Sequence, residues 1–359
     1  MPKSQSNKDV PMQSKECRLV FTRLRTQFEK LGQKFARLGQ RFARYGLDGF
    51  VLALIASIVV AYLWPQPGIY LGAVDMQDIT RSGIALIFFF YGLRLNPAQL
   101  RTGLANWRLH LVIQTFTFIV FPALILLAKT LAGGTWDAHL WMGTFFLAAL
   151  PTTISSSVVL VSMSRGNVPA AIFNASVSSL LGIFLTPLWI GILLAATSGG
   201  FAPAHAILQL SLQVLLPVVA GMMLHKRFGI LALRHAHTLR LFDQSVILLI
   251  VYVSFAESFS NQMFRRYSPW HIILLCFAML VLFFVVYGLT VLSTRILKFN
   301  NPDTITALFC SSQKSLVNGT TMSRVLFPGF TAAGVLLLPL MIYHTLQLIV
   351  TSAIVGKRR

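Results

Sequence analysis

The chain has 359 residues, 55% of them hydrophobic and only 11% charged, with a mean hydropathy of +0.71; a soluble domain of this size carries about twice that share of charge. The net charge of +20 does not point to nucleic acid, because the basic residues lie in loops beside apolar runs and in an N-terminal arm. Cys17, Cys276 and Cys310 show neither paired nor metal-type spacing, so free thiols are expected, and a signal peptide is not, since the first long apolar run begins only near Leu47.

Residues 1–46 form a basic arm. Residues 1–16 are polar, and Phe21, Leu24, Phe28, Leu31, Phe35, Leu38 and Phe42 then recur at steps of three and four. That rhythm predicts one apolar stripe on a helix whose remaining faces carry Arg and Lys. Such a helix lies in the interface of an anionic membrane. A short coiled coil or a solvated basic face fits the same stripe.

At about 20 apolar residues per crossing, the sequence predicts ten spans, near 47–64, 80–94, 110–130, 138–163, 168–196, 204–224, 240–259, 271–296, 303–327 and 330–355. The connections are short, which leaves no soluble domain. Twenty-four Lys and Arg residues fall in the arm, the even-numbered loops and the tail, against five on the other side. The positive-inside rule therefore puts both termini in the cytoplasm, and the inner membrane is the expected location.

Ten spans divide into repeats of five, 47–196 and 204–355, within a transporter domain of 47–359. Five is odd, so the second repeat must insert upside down. The expected fold is an all-α integral membrane protein, two inverted five-helix repeats with discontinuous helices 4 and 9. The discontinuities rest on two polar stretches inside apolar runs, Leu150–Ser157 (L-P-T-T-I-S-S-S) and Phe309–Thr320 (F-C-S-S-Q-K-S-L-V-N-G-T), about 160 positions apart. Irregular polar backbone at membrane depth is tolerated where it is buried in protein or lines a wet cavity. A pair of interrupted spans in corresponding halves points to a transporter's binding site.

The candidate site residues follow from those stretches. Thr152, Thr153, Ser155, Ser156 and Ser157 place five hydroxyls around Pro151, more than helix packing needs. Ser311, Ser312, Gln313, Lys314 and Asn318 mark the second break. Lys314 is either a snorkelling lysine or a functional one, and it sits about eleven residues from the span end. Asn174, with Ser176, Ser178 and Ser179, fits packing and ion binding equally. Glu257 is an interface residue or a gate. Asp243 is expected to pair with Arg240 or a neighbour, and His344 is a core histidine rather than a proton relay.

Three features resemble the bile acid:sodium symporter family, and within it the bacterial branch related to the seventh human member. They are G-L-R-L-N-P-A-Q-L at Gly92–Leu100, R-G-N-V at Arg165–Val168 with L-T-P at Leu185–Pro187, and the spacing of Ser157 and Gln313 about the two broken spans. The resemblance covers roughly residues 47–355. It implies a panel of spans 1, 2, 6 and 7 against a core of spans 3–5 and 8–10, with the broken spans crossing in the core. It places the family's sodium-binding positions on Ser157, Val158, Ala171 and Ala175, and the glutamate shared by both ions on Phe309. The second site's glutamine matches Gln313, and its span-3 partner falls on Thr117. Most sodium ligands are therefore missing.

No G-x-S-x-G, H-E-x-x-H, phosphate-binding glycine loop or paired catalytic carboxylate is present, so an enzyme is not expected. The sequence reads as a secondary active transporter of a small organic anion working by alternating access. It needs no cofactor, and sodium or a proton remains open as coupling ion. Anionic lipids are expected partners through the arm; the oligomeric state is not fixed. The alternative reading is a regulatory or scaffold membrane protein with a degenerate transporter fold.

Overall fold

The computed structural model describes residues 49–71, 74–94, 106–132, 137–197, 204–327 and 330–357. The interfacial helix expected at Phe21–Phe42 lies outside the described residues. The described chain is almost wholly helical. A two-residue antiparallel ladder, Tyr70–Leu71 with Val74–Asp75, is a small correction to the all-α expectation.

In chain order the helices are α1 (Gly49–Leu63), α2 (Met76–Arg94), α3, α4 (Ala138–Ala149), α5 (Ser155–Met163), α6 (Val168–Thr197), α7 (Ala204–Arg234), α8 (Ala236–Ser260), α9 (Pro269–Ile296), α10 (Asn301–Ser312), α11 (Leu316–Leu326) and α12 (Ala333–Lys357). Helix α3 runs as Trp107–Thr115, a π-helical turn Phe116–Val120, and Phe121–Ala132. Among the described residues, six stretches are long and apolar enough to cross a membrane: Trp107–Leu131, Val168–Leu193, Leu216–Arg234, Ala236–Ser260, Pro269–Ile296 and Ala333–Val355. Gly49–Leu63 and Ala138–Ala149 are shorter apolar helices. Helix α7 continues ten residues past the expected end at 224.

The outer surface is one that water would not tolerate. Leu131, Met223, Trp270, Ile273 and Phe277 are all exposed, and α9 carries a row of them along its outward face. A lipid surround removes that cost. Inside, one large apolar cluster runs from Leu54 through Phe146 and Phe283 to Tyr343. A second gathers Leu109, Ile113, Val161, Ala171, Phe309 and Cys310. Helix α2 packs along α7, α1 along α8, α4 along α12, and α9 flanks α10 and α12.

Polar side chains tie distant elements. Arg94 Nη2 on α2 lies 2.8 Å from Asp243 Oδ2 on α8. Asp243 therefore pairs across the fold and not with Arg240 one turn away, because its helix face turns toward α2. In R-G-N-V, Arg165 takes a left-handed φ of 60°, and Asn167 then docks on the start of α10. Its Nδ2 donates to Asp303 Oδ1 (2.8 Å) and its N–H donates to Thr306 Oγ1 (2.9 Å).

The α2–α7 contact depends on the absence of two side chains. A Cβ on Gly92 would collide with the backbone of Val218, and one on Gly221 with the backbone of Phe89. Small residues let membrane helices approach this closely, and van der Waals contact is what holds them there. Gly288, by contrast, has nothing within 4 Å of an added Cβ. We predict that Gly92→Val or Gly221→Val lowers the unfolding midpoint of the detergent-solubilised protein by several degrees, while Gly288→Val leaves it unchanged. Differential scanning fluorimetry of the three variants measures this.

Candidate functional site

The two interrupted apolar runs break where the polar letters lie, and the breaks meet. Helix α4 ends at Ala149 because Pro151 has no N–H to continue the ladder and pushes Leu150 into extended backbone, φ −74° and ψ 152°. Helix α5 restarts at Ser155. Helix α10 ends at Ser312, Gln313 is extended at φ −95° and ψ 144°, and α11 starts after Ser315, whose Oγ accepts the Asn318 N–H. Backbone joins the two breaks directly: the Ser315 N–H donates to Pro151 O at 2.9 Å.

A helix end leaves its last carbonyls without donors, and here side chains from other elements meet several of them. Lys314 Nζ donates to Ala148 O (2.7 Å) and Leu150 O (2.8 Å). Thr186 Oγ1 donates to Ala149 O (2.8 Å). Beyond the break in α10, the Tyr343 hydroxyl donates to Ser312 O (2.6 Å). The Gln347 amide pairs with the Lys314 backbone in both directions, accepting its N–H (2.8 Å) and donating to its O (3.0 Å).

The third donor of Lys314 reaches Thr117 O in the π-turn of α3, at 2.8 Å. That carbonyl is free for a sequence reason. In the π register its donor would be the N–H of residue 122, which is a proline. The neighbouring Phe118 O is taken by Trp189 Nε1 at 2.8 Å. Lys314 is fully buried, and its ammonium also lies 4.2 Å from the centre of the Phe121 ring. Three carbonyl acceptors use all three donors of a protonated lysine. The amine sits at the C-terminal end of α4, the negative end of its dipole, which favours the protonated form.

On the other side of the break, oxygens converge on Gln313. Its Oε1 accepts from Thr153 Oγ1 (2.8 Å), Ser156 Oγ (2.7 Å) and Ser157 Oγ (3.1 Å), while its buried Nε2 meets no acceptor among the described residues. Thr152 joins through Ser157 (3.4 Å), and its N–H donates to Ser178 Oγ (3.1 Å). The side chain of Ser155 lies outside the described residues.

The remaining expected residues divide. Thr117 contributes its carbonyl to Lys314, but its hydroxyl turns back to Ile113 O (2.8 Å). Ser312 Oγ likewise bonds its own helix at Leu308 O, and buried Ser311 Oγ meets no partner among the described residues. Asn318 Nδ2 reaches Ser179 Oγ at 3.4 Å. Asn174 sits with His110 (2.8 Å) and Gln114, not at the breaks. Glu257 lies on α8, 3.1 Å from Arg324 Nη1 on α11. His344 is satisfied by Gln347 Nε2 at 2.9 Å. The positions that the resemblance assigns to sodium but that lack oxygen side chains are Val158, Ala171, Ala175 and Phe309: Ala171 and Phe309 sit in an apolar cluster against which Val158 packs, and Ala175 is buried. Among the described residues no group of three His, Cys, Asp or Glu could hold a metal ion.

Residues 48–359 match the model of the SBF-like CPA transporter family. The uncharacterized protein PA2026 of Pseudomonas aeruginosa is 40% identical over 308 residues, which is 86% of this chain and 91% of that protein. YfeH of Escherichia coli, named as a candidate symporter, is 36% identical over 86% of this chain and 92% of its own length. A protein of Danio rerio named sodium/bile acid cotransporter 7 is 30% identical over 86% of this chain and 92% of its own.

Lys314 carries the geometry, so its removal leaves three buried carbonyls without donors. We predict that Lys314→Met lowers the unfolding free energy by about 3 kcal/mol, read as a fall in the unfolding midpoint. Lys314→Arg is predicted to be little better, because a planar guanidinium cannot point three donors at this trigonal set.

Proposed function

The chain belongs to the SBF-like CPA transporter family, a family of membrane transporters and not of enzymes, and from that premise we propose that it is a secondary active transporter of a small organic anion across the inner membrane. Transport proceeds by alternating access. Ten spans form two inverted five-helix repeats, with α4–α5 as the broken fourth span and α10–α11 as the broken ninth. Both termini are cytoplasmic, as the distribution of basic residues indicates.

The observation that carries this reading is the meeting of the two breaks. Helices α5 and α11 both begin there, and helix N-termini attract negative charge. The C-terminal ends of α4 and α10 meet there too, and the Lys314 ammonium offsets them. What remains at the crossing is a net preference for an anion, with hydroxyls of Thr152, Thr153, Ser156 and Ser157 and the Gln313 amide for polar contacts.

The coupling differs from what the relatives' names say of them. Of the positions that resemble sodium ligands, Val158, Ala171, Ala175 and Phe309 lack oxygen side chains here, and a fixed ammonium stands beside the crossing in place of a mobile cation. Lys314 supplies the positive charge that a coupling ion would bring. The reading therefore favours exchange of one anion for another over sodium symport.

Proteoliposome uptake tests it. Labelled organic anions should enter faster when the same anion is loaded inside, and choline should replace sodium without loss. Gln313→Ala should reduce the rate at least tenfold while leaving the protein folded. Absence of any anion-specific uptake by the wild type across carboxylates and sulfonates would sink the proposal.

A further inference from the structure

Arg324 is a buried guanidinium with three of its five N–H donors unpartnered among the described residues. It lies near the end of α11, its side chain only 11% exposed. Nη1 donates to both oxygens of Glu257, 3.1 Å to Oε2 and 3.5 Å to Oε1. Nε and Nη2 are equally shielded from solvent, and neither meets an acceptor among the described residues. These two atoms share one edge of the planar group. Their N–H bonds run parallel, at the spacing that a carboxylate or phosphate accepts in two hydrogen bonds.

Buried donors without partners are rare enough in folded proteins that each calls for a cause. Among the described residues, no carboxylate supplies it. Asp78 is engaged by Arg81, Asp137 by Tyr267 and His139, Asp243 by Arg94, and Asp303 by Asn106 and Asn167. Phe327, one turn beyond Arg324, packs on Phe146 and Phe330.

We propose that the Nε–Nη2 edge of Arg324 recognises the carboxylate of an organic anion, while Glu257 holds the guanidinium from its other side. The inference rests on the reading that the cargo is an anion. It goes beyond that reading by placing a recognition point roughly 14 Å along α11 from Ser315, at a helical rise of 1.5 Å per residue, away from the crossing. Glu257 then plays two parts. It orients the guanidinium, and its own carboxylate is the competitor that an incoming anion must match.

The test uses the full chain in phosphatidylcholine nanodiscs, with binding read from the unfolding midpoint. The probes are benzoate and octanoate, their neutral counterparts benzamide and octanamide, and inorganic phosphate. A carboxylate should raise the midpoint and its amide should not. Arg324→Lys should weaken carboxylate binding tenfold or more, since an ammonium cannot offer two parallel donors. Glu257→Gln should keep or strengthen binding, because the competing carboxylate is gone. Four results overturn the assignment: no binding of either carboxylate by the wild type, equal binding of acid and amide, binding of phosphate alone, or carboxylate affinity unchanged by Arg324→Lys. An equal loss in Arg324→Lys and Glu257→Gln also overturns it, marking an ion pair that only holds α8 to α11. Uptake by the same variants separates this site from the transport reading. Uptake with unchanged affinity in Arg324→Lys removes the site and leaves transport. Carboxylate binding without uptake by the wild type removes transport and leaves the site.

Discussion

A helix that stops inside a membrane leaves carbonyl groups with no donor, and hydrocarbon supplies none. Helix α4 stops at Pro151, in the interior of the protein, and so does the ladder of α3 where Pro122 interrupts it. One side chain answers both. The ammonium of Lys314 reaches Ala148 O, Leu150 O and Thr117 O, and thereby joins α3, α4 and the break of α10–α11 at a single point. The arrangement resembles the coordination of a small cation by backbone oxygens, except that the cation is covalently attached. A mobile ion can leave such a cage; a lysine side chain stays.

This constraint organises what surrounds it. Once the Lys314 side chain is committed to one face of the break, Gln313 faces the opposite way, into the hydroxyls of Thr153, Ser156 and Ser157. The backbone of Lys314 needs its own partner, and Gln347 on α12 supplies both hydrogen bonds of a strand-like pair. Gln347 in turn engages His344, which accounts for a polar pair deep in α12. Electrostatically, the Lys314 ammonium offsets the negative ends of the α4 and α10 dipoles where α5 and α11 begin. On the proposed reading, an anion there needs no cation brought along with it.

Much of this was legible in the letters, for physical reasons that differ from place to place. The break at Leu150–Ile154 could be read because proline has a fixed chemical consequence. The break at Gln313–Ser315 could be read because a run of polar side chains has no stable place in hydrocarbon. The partners of Lys314 could not be read, since backbone carbonyls look the same in every residue; Pro122, two residues into the apolar middle of α3, was the available signal and marks where one carbonyl would be orphaned. Asp243 was expected beside Arg240 but pairs with Arg94, 149 positions away in sequence, because the helix face decides the partner, not the sequence interval. Asn174 and Glu257 lie away from the two breaks, one with His110 and Gln114, the other with Arg324. Residue type signals that a polar group needs a partner; only the fold says which.

The central claim is that the crossing is held by a covalently attached cation and not by bound sodium. It is tested most directly by the thermal unfolding midpoint of the purified wild type in sodium chloride against choline chloride at equal ionic strength. A bound ion stabilises the native state by mass action, so a sodium-filled crossing must melt higher as sodium rises. The account predicts the same midpoint in both salts. A midpoint that climbs steadily with sodium, and equally so in Lys314→Met, would contradict it.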